Sequence, residues 1–223
     1  MKKLFRWLIV AFLVSSLLGL SAVAVAWWLY GRDLPDVESL REVQLQVPLR
    51  VFTADGKLIG IFGEKRRIPV SLEDLPDCLA QAFIASEDAR FYEHPGVDYQ
   101  GLTRAAWSLL TTGEKSIGGS TITQQLARNF FLTTEKTFTR KIKEIFLALR
   151  IERELEKNQI LELYMNKIFL GYRAYGVGAA AEVYYGKSPD KLSLAQCAMI
   201  AALPKAPSRI NPITSPERAV ERR

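Results

Sequence analysis

Three stretches of the sequence contain residue types that could do chemistry, and the first is 87–96, EDARFYEHPG. Glu87 closes the apolar run 82–85, AFIA. A carboxylate at the end of an apolar helix face is partly desolvated, which suits a general acid or base. A solvated charge at a helix end is the alternative interpretation. His94, the one histidine, is more often a structural hydrogen-bonding residue than a base.

The second stretch is 118–125, GGSTITQQ. Gly118 and Gly119 lead into Ser120, a candidate N-cap, and then into an apolar helix. Free backbone N–H groups at a helix N-terminus attract phosphate, and glycine lets a ligand approach the backbone closely. A flexible loop followed by a cap is the alternative. A P-loop is excluded because no Gly-Lys-Ser/Thr follows at the required spacing.

The third stretch is basic: RKIKE at 140–144, preceded by Arg128 and Lys136. On a helix, Arg140 and Glu144 stand four residues apart and share a face. An intrahelical ion pair on a solvated face is one interpretation. The other is a basic groove for pyrophosphate, in which Glu144 binds a metal or orients a lysine.

Helices must position most of these residues. Apolar spacings of three and four, punctuated by Gly, Pro, Ser and Thr, predict helices at 77–90, 99–110, 121–131, 137–155, 159–169, 174–184 and 194–203. Apolar runs around Asp55-Gly56 predict a hairpin over 49–62. The charge run 64–67 is expected to be a solvated loop. The body is therefore a mainly α domain with a small N-terminal β element.

The N-terminus predicts a membrane anchor. Residues 7–30 carry no charge, and about 1.5 Å per residue lets them span a hydrocarbon core of about 30 Å. The basic residues in 1–6 place this tail in the cytoplasm by the positive-inside rule. Residues 31–48 then form a polar connector to a body at 49–223. The alternatives are a signal peptide cleaved within 22–26 and a buried core helix.

Composition narrows the function classes. The net charge is +6, and half of it lies in the first six residues, so a nucleic-acid partner is not expected. Cys78 and Cys197 are too few for a disulfide scaffold or a zinc cluster. Both lie in apolar helical patterns, so we expect buried free thiols, in an oxidising space if the cell is a Gram-negative bacterium.

Several long motifs together resemble a known family. They occur in the order and spacing of peptidoglycan glycosyltransferases, glycosyltransferase family 51, and cover nearly everything after residue 48: EDARFYEHPGVDYQGLTRA, GGSTITQQLARN, RKIKE and NQILELYMN. Two further segments resemble the 1A type of class A penicillin-binding proteins more than monofunctional enzymes: RAYGVGAAAEVYYGK and AMIAALPKAPSRINP. The resemblance implies a lysozyme-like, α-rich fold.

The resemblance also implies roles for individual residues. Glu87 corresponds to the catalytic base, and Glu144 assists at the pyrophosphate, with a divalent cation (Mg or Mn) expected there. The residues expected to contact substrate are Gly118, Gly119, Ser120, Gln124, Gln125, Arg128, Lys136, Arg140, Lys141, Lys143 and His94. Arg128 stands where the family often has Lys, which keeps the charge.

The activity that the resemblance implies is polymerisation of lipid II into β-1,4 glycan strands on undecaprenyl pyrophosphate. The catalytic domain would lie on the periplasmic or extracellular side of the bacterial inner membrane. A dimer or other cell wall synthases are the expected protein partners. The sequence stops at Arg222-Arg223, inside the family's last motif, so we expect a truncated bifunctional enzyme without its transpeptidase domain. The alternatives are a lytic transglycosylase or muramidase, and an inactive membrane-tethered scaffold.

Overall fold

The computed structural model describes residues 2–43, 45–113, 119–133 and 137–223. Gly118 and Lys136, both predicted substrate contacts, lie outside these residues. The helices are α1 Lys2–Tyr30, α2 Asp77–Glu87, α3 Tyr99–Thr112, α4 Ile122–Phe131, α5 Phe138–Glu154, α6 Lys157–Lys167, α7 Val177–Tyr185, α8 Leu194–Ala202 and α9 Pro216–Arg222. The strands are β1 Leu49–Phe52, β2 Leu58–Phe62, β3 Arg66–Arg67 and β4 Ala174–Tyr175. The mainly α class is confirmed, and α9 was not predicted.

Helix α1 is long and apolar enough, by length and composition, to cross a membrane. Its most apolar stretch is entirely unburied by the rest of the chain, so the core-helix alternative is wrong. Near its C-terminal end, Trp27 meets Phe146 of α5 edge-on, with ring centroids 5.1 Å apart. The orientation across a membrane and the cleavage of a signal peptide stay predictions.

The segment after α1 packs on the body instead of leaving it as a free tether. Leu34, Val37 and Leu40 are buried in the hydrophobic core. The Arg41 side chain donates to the Glu154 backbone carbonyl at the end of α5, over 2.7 Å. The polar composition of 31–48 hid these three apolar positions, which attach the segment to the core.

The predicted hairpin is confirmed. Strands β1 and β2 pair antiparallel, with Leu49 opposite Phe62, and Gly56 in the turn has a φ of 81°, which favours glycine. The solvated loop predicted for 64–67 is confirmed at 64 and 65, which are exposed and outside any strand, but is wrong at Arg67, which is 4% exposed in a strand that pairs in parallel with β4.

The predicted helix 174–184 begins late. Its first residues form β4, and α7 starts at Val177. Gly176 separates the two with a φ of 85°, and a Cβ there would lie 2.7 Å from the Asn166 carbonyl oxygen. The backbone therefore turns between strand and helix at a position that only glycine fits.

Helices α2 and α8 pack side by side and carry the cysteines. Cys78 and Cys197 form a disulfide, with Cα atoms 6.0 Å apart, so the prediction of free thiols is wrong. Towards the other end of the helix pair, the Ser86 hydroxyl donates to the Ala201 carbonyl over 3.2 Å. The apolar patterns correctly placed both cysteines on packed helix faces but could not show that the two faces meet. The disulfide ties α2, which carries Glu87, to α8.

Candidate active site

A cavity of about 430 Å³ opens beside the C-terminal end of α2. Its walls come from the end of α2, from α3 and from the loop that enters α4. They are formed by Ala85, Ser86, Glu87, Asp88, Ala89, Arg90, Asp98, Gly101, Leu102, Arg104, Ala105, Ser108, Gly119, Ser120 and Thr121. The cavity thus brings the first two predicted stretches together, and it is roomy enough for part of a substrate.

Glu87 is the last residue of α2. The helix ends there, and not at residue 90 as predicted, because Asp88 leaves the helical conformation with φ −160° and ψ 73°. Burial raises the pKa of Glu87 above its usual value, against a hydrogen bond from Gln125 and the positive charges of Arg222 and Lys205. A carboxylate whose pKa is raised by desolvation is a better proton acceptor, which is what a general base needs.

Gln125 holds the carboxylate in place. Its Nε2 donates to Glu87 Oε2 over 2.9 Å, and its Oε1 accepts from the Tyr164 hydroxyl over 3.3 Å. Tyr164 is fully buried, and burial raises its pKa well above the usual value, so the hydroxyl remains a donor. Gln125 is itself buried. Both ends of its amide are used inside the protein, and the predicted contact of Gln125 with substrate stays a prediction.

His94 is also occupied internally. It is 3% exposed, its Nε2 lies 2.9 Å from Asp88 Oδ1, and its Nδ1 accepts from the Gly96 N–H over 3.1 Å. The ring proton therefore sits on Nε2 and is donated to Asp88. A structural hydrogen-bonding role of His94 is confirmed, and its contact with substrate stays a prediction.

The start of α4 differs from the prediction in two ways. The N-cap is Thr121, in a capping box with Gln124, so the assignment of Ser120 as N-cap is wrong by one residue. The Ile122 N–H donates to Asp88 Oδ2 over 3.0 Å, so this helix terminus already holds a protein carboxylate. The Ser120 hydroxyl instead accepts from Lys141 Nζ over 2.7 Å.

Gly119 lines the cavity without being required for backbone reasons. Gly119 does not have a positive φ. A Cβ at this position would lie 3.7 Å from the Leu102 side chain, which is an ordinary van der Waals contact. The backbone conformation therefore does not require glycine at this position. What the position offers is open space beside Glu87 and Ser120.

Helix α5 presents the predicted basic face, organised around a buried acid. Glu144 is 1% exposed. Arg140 contacts it from one turn away, as predicted, Lys141 Nζ lies 3.2 Å from it, and Arg128 of α4 lies 3.9 Å from it. Burial lowers the pKa of Lys141, and the neighbouring Glu144 raises it again. Three cations therefore surround one buried carboxylate, and Lys141 joins this group to Ser120 on the cavity wall.

Gln124 and Lys143, two further predicted residues, lie near this group of cations on α4 and α5. Gln124 is 1% exposed, and its Oε1 accepts from Lys141 Nζ over 3.0 Å. The Gln124 side chain thus orients the lysine from inside, and its contact with substrate stays a prediction. Lys143 lies partly buried on α5 and forms no ion pair with a carboxylate of the described residues.

Glu144 does not fit the predicted metal site. Its carboxylate already faces three cations, and an additional divalent cation would be repelled by them. Within the ranges that the structure describes, no group of three His, Cys, Asp or Glu side chains could hold a metal ion. The geometry favours the other predicted role of Glu144, which is to orient Lys141.

Sequence reasoning missed several residues of the site. Arg90 pairs with Asp98 on the cavity wall, and Arg104 lies 4.0 Å from the same carboxylate. Arg90 follows Glu87 closely in the sequence, which was an available signal. The charges of Lys205 and Arg222 also act on Glu87, but their sequence positions gave no signal of this. Only the packing of α8 on α2 and of α9 on α8 brings the end of the chain towards Glu87.

The fold and the site define a mainly α domain with an apolar N-terminal helix and a desolvated glutamate beside a basic group. The family model "Transglycosylase" matches residues 55–223, and the chain belongs to this family. It is 57% identical over 221 residues to penicillin-binding protein 1A of Vibrio cholerae and 55% identical over 221 residues to penicillin-binding protein 1A of Escherichia coli. The resemblance found in the sequence is thereby confirmed.

The alignments cover 99% of this chain but only 27% and 26% of those two relatives. The chain thus spans about a quarter of the length of the curated relatives it matches. A crystal structure of penicillin-binding protein 1A from Haemophilus influenzae matches 81% of this chain and 17% of that one, with 38% identity and a TM-score of 0.42.

Proposed function

We propose that this chain is a peptidoglycan glycosyltransferase of bacterial cell wall synthesis, which polymerises lipid II into β-1,4 glycan strands carried on undecaprenyl pyrophosphate. The observation that carries the proposal is the Glu87 carboxylate. It lies on the wall of the cavity, has a pKa raised by burial and is held by an amide that is itself fixed. Membership of the transglycosylase family supports the same chemistry.

In the proposed reaction, Glu87 takes the proton from the 4-hydroxyl of the acceptor sugar. That oxygen attacks C1 of the donor sugar while the bond from C1 to the pyrophosphate oxygen breaks. The electron pair leaves with the pyrophosphate, and the proton passes from Glu87 to solvent after the strand has moved. A single displacement inverts the configuration, which converts an α-linked donor into a β-1,4 link.

The basic group beside the cavity is suited to the leaving pyrophosphate. Lys141 is fixed by Ser120, Gln124 and Glu144, so its charge needs little reorganisation during the reaction. Arg128 and Arg140 flank the same carboxylate. Preorganised cations stabilise charge that develops in the transition state more effectively than mobile ones do.

A membrane location on the outer side fits two features. Helix α1 has the length and composition of a membrane span, and its contact with α5 places the basic helix next to the anchor. The disulfide between Cys78 and Cys197 is of a kind that persists in an oxidising compartment. We therefore propose a cytoplasmic N-terminus and a periplasmic catalytic body, acting where both lipid-linked substrates are confined.

The test is incubation of the purified chain with labelled lipid II. Formation of polymer supports the proposal, cleavage of preformed glycan would indicate a lytic enzyme, and neither would indicate a scaffold. The variant Glu87→Gln should form polymer at about one hundredth of the wild-type rate or less, because the base is lost. The control is Glu93→Gln, which neutralises a carboxylate of the same segment whose side chain is 69% exposed. Polymer formation by Glu87→Gln at over half the wild-type rate would refute the assignment of the base.

A further inference from the structure

Two basic side chains, Arg67 and Lys65, lie beside the ring of Tyr175, and neither of them lines the active-site cavity. The parallel register of β3 and β4 places Arg67 opposite Tyr175. Arg67 Cζ lies 5.6 Å from the centroid of the ring, and Lys65 Nζ lies 5.4 Å from it. Two cations therefore share one aromatic ring.

Lys167, the last residue of α6, adds a third charge. Its Nζ lies 4.1 Å from the centroid of the Phe130 ring. Burial lowers the pKa of Lys167, and the charges of Arg67 and then Lys65 lower it further. The three cations thus lie within electrostatic reach of one another, and we call Lys65, Arg67 and Lys167 the basic cluster.

The members of the basic cluster form no ion pair within the described part of the chain, and Glu182, which lines a cavity together with Arg67, is paired with Arg50. No carboxylate contributes to the pKa shifts of Arg67 and Lys167. The cations of α5 differ in this respect, since Glu144 neutralises part of their charge. The like charges of the basic cluster repel one another and so destabilise the folded chain. A bound anion would remove this repulsion.

Arg67 gives a second and independent indication. The residue is 4% exposed, and burial lowers its pKa. Its Nη1 donates to the Gln46 carbonyl over 2.9 Å, but its buried Nε has no hydrogen-bond partner. Burying a guanidinium without a carboxylate costs free energy of folding. A bound anion that accepts from the unpartnered Nε would explain why the group is buried there.

We propose that the basic cluster is an anion-binding site, separate from the active-site cavity, that takes a phosphate group. The planar guanidinium suits the tetrahedral oxygens of phosphate, and the two ammonium groups supply point charges that a phosphate can bridge. A single carboxylate would neutralise only one of the three cations. The phosphate is either free inorganic phosphate or the headgroup of an anionic phospholipid, since α1 brings the chain to a bilayer.

The experiment compares three forms of the full chain in uncharged detergent micelles. The test variant is Lys65→Met with Lys167→Met, which keeps the length of the side chains. The control variant is Lys187→Met with Lys191→Met, which removes the same charge at two exposed positions. Inorganic phosphate is titrated at constant ionic strength, with binding followed by calorimetry. The same chains are then compared in vesicles of phosphatidylcholine with and without phosphatidylglycerol, by thermal midpoint.

Loss of two charged contacts should weaken phosphate binding about tenfold or more in the test variant and leave the control unchanged. A phosphate response lost only in the test variant supports free phosphate as the ligand, and a phosphatidylglycerol response lost only there supports a headgroup. The wild type and the test variant responding alike to both probes would overturn the proposal.

Stability without an anion gives a second readout. Lys167→Met should raise the thermal midpoint in phosphate-free micelles, because it removes repulsion from Arg67 and Lys65 while keeping an apolar contact with Phe130. A lower midpoint would show that the ammonium serves mainly to pack on that ring, and would also count against the proposal.

Discussion

Replacing Gln125 by leucine tests whether this residue acts through the catalytic base. Leucine keeps the approximate volume of the side chain but removes the donor to Glu87 Oε2 and the acceptor for Tyr164. The Gln125 bond lowers the pKa of Glu87 against the raising effect of burial. Its removal should therefore raise the pKa of Glu87 further, and should also leave the carboxylate less firmly placed.

The size of the effect follows from the hydrogen bond that is lost. A hydrogen bond to a charged group contributes about 1.5–3 kcal/mol, and about 1.4 kcal/mol corresponds to tenfold in rate. We expect kcat for lipid II polymerisation to fall about tenfold to a hundredfold. Because the base must be ionised to accept a proton, the acid limb of the pH–rate profile should move to higher pH.

The assay is polymer formation from labelled lipid II across a range of pH. Tyr164→Phe is the matched variant, since it keeps the buried ring and removes only the weaker, neutral bond to Gln125; it should shift the profile in the same direction by less. In a Glu87→Gln background, Gln125→Leu should cause no further loss. A fall in kcat with an unmoved acid limb would refute the reasoning and would indicate that Gln125 contacts substrate.

Four further predictions concern stability. Burial raises the pKa of Glu87 in the folded state, so the folded state binds more protons than the unfolded state does near neutral pH. Glu87→Gln should therefore stabilise the protein near neutral pH. This gain in stability should vanish below the usual pKa of 4.5, where the carboxyl group is protonated in both states. A gain that persists at low pH in thermal unfolding would contradict this. Glu144→Gln removes the carboxylate from three cations that are 34%, 15% and 35% exposed, and should lower the free energy of unfolding by about 1–3 kcal/mol in urea titrations; a loss near zero would indicate a solvated pair. Reduction of the disulfide, or Cys78→Ser, should lower the same quantity by about 2–5 kcal/mol, and an unchanged urea midpoint would mean that Cys78 and Cys197 are not bonded. Mg²⁺ without substrate should leave the thermal midpoint unchanged, because Glu144 is occupied by cations, and a rise would contradict that assignment.

The sequence by itself determined the features that arise within one element. The uncharged run of α1, the hairpin around Gly56 and the shared face of Arg140 and Glu144 all follow from local spacing. Glu87 was found in the same way, as a carboxylate that closes an apolar helix face, but the packing around it decided that it is desolvated. The family motifs added roles to these residues, and those roles stay predictions.

Tertiary structure alone decided which faces meet. Cys78 and Cys197 are 119 residues apart, and Gln125 lies 38 residues from the carboxylate it holds. Arg67 looked like part of a solvated charge run until its pairing with β4 buried it. The physical reason is common to all three. Hydrophobic periodicity shows that a face is covered, but the partner that covers it is fixed by the packing of the whole chain.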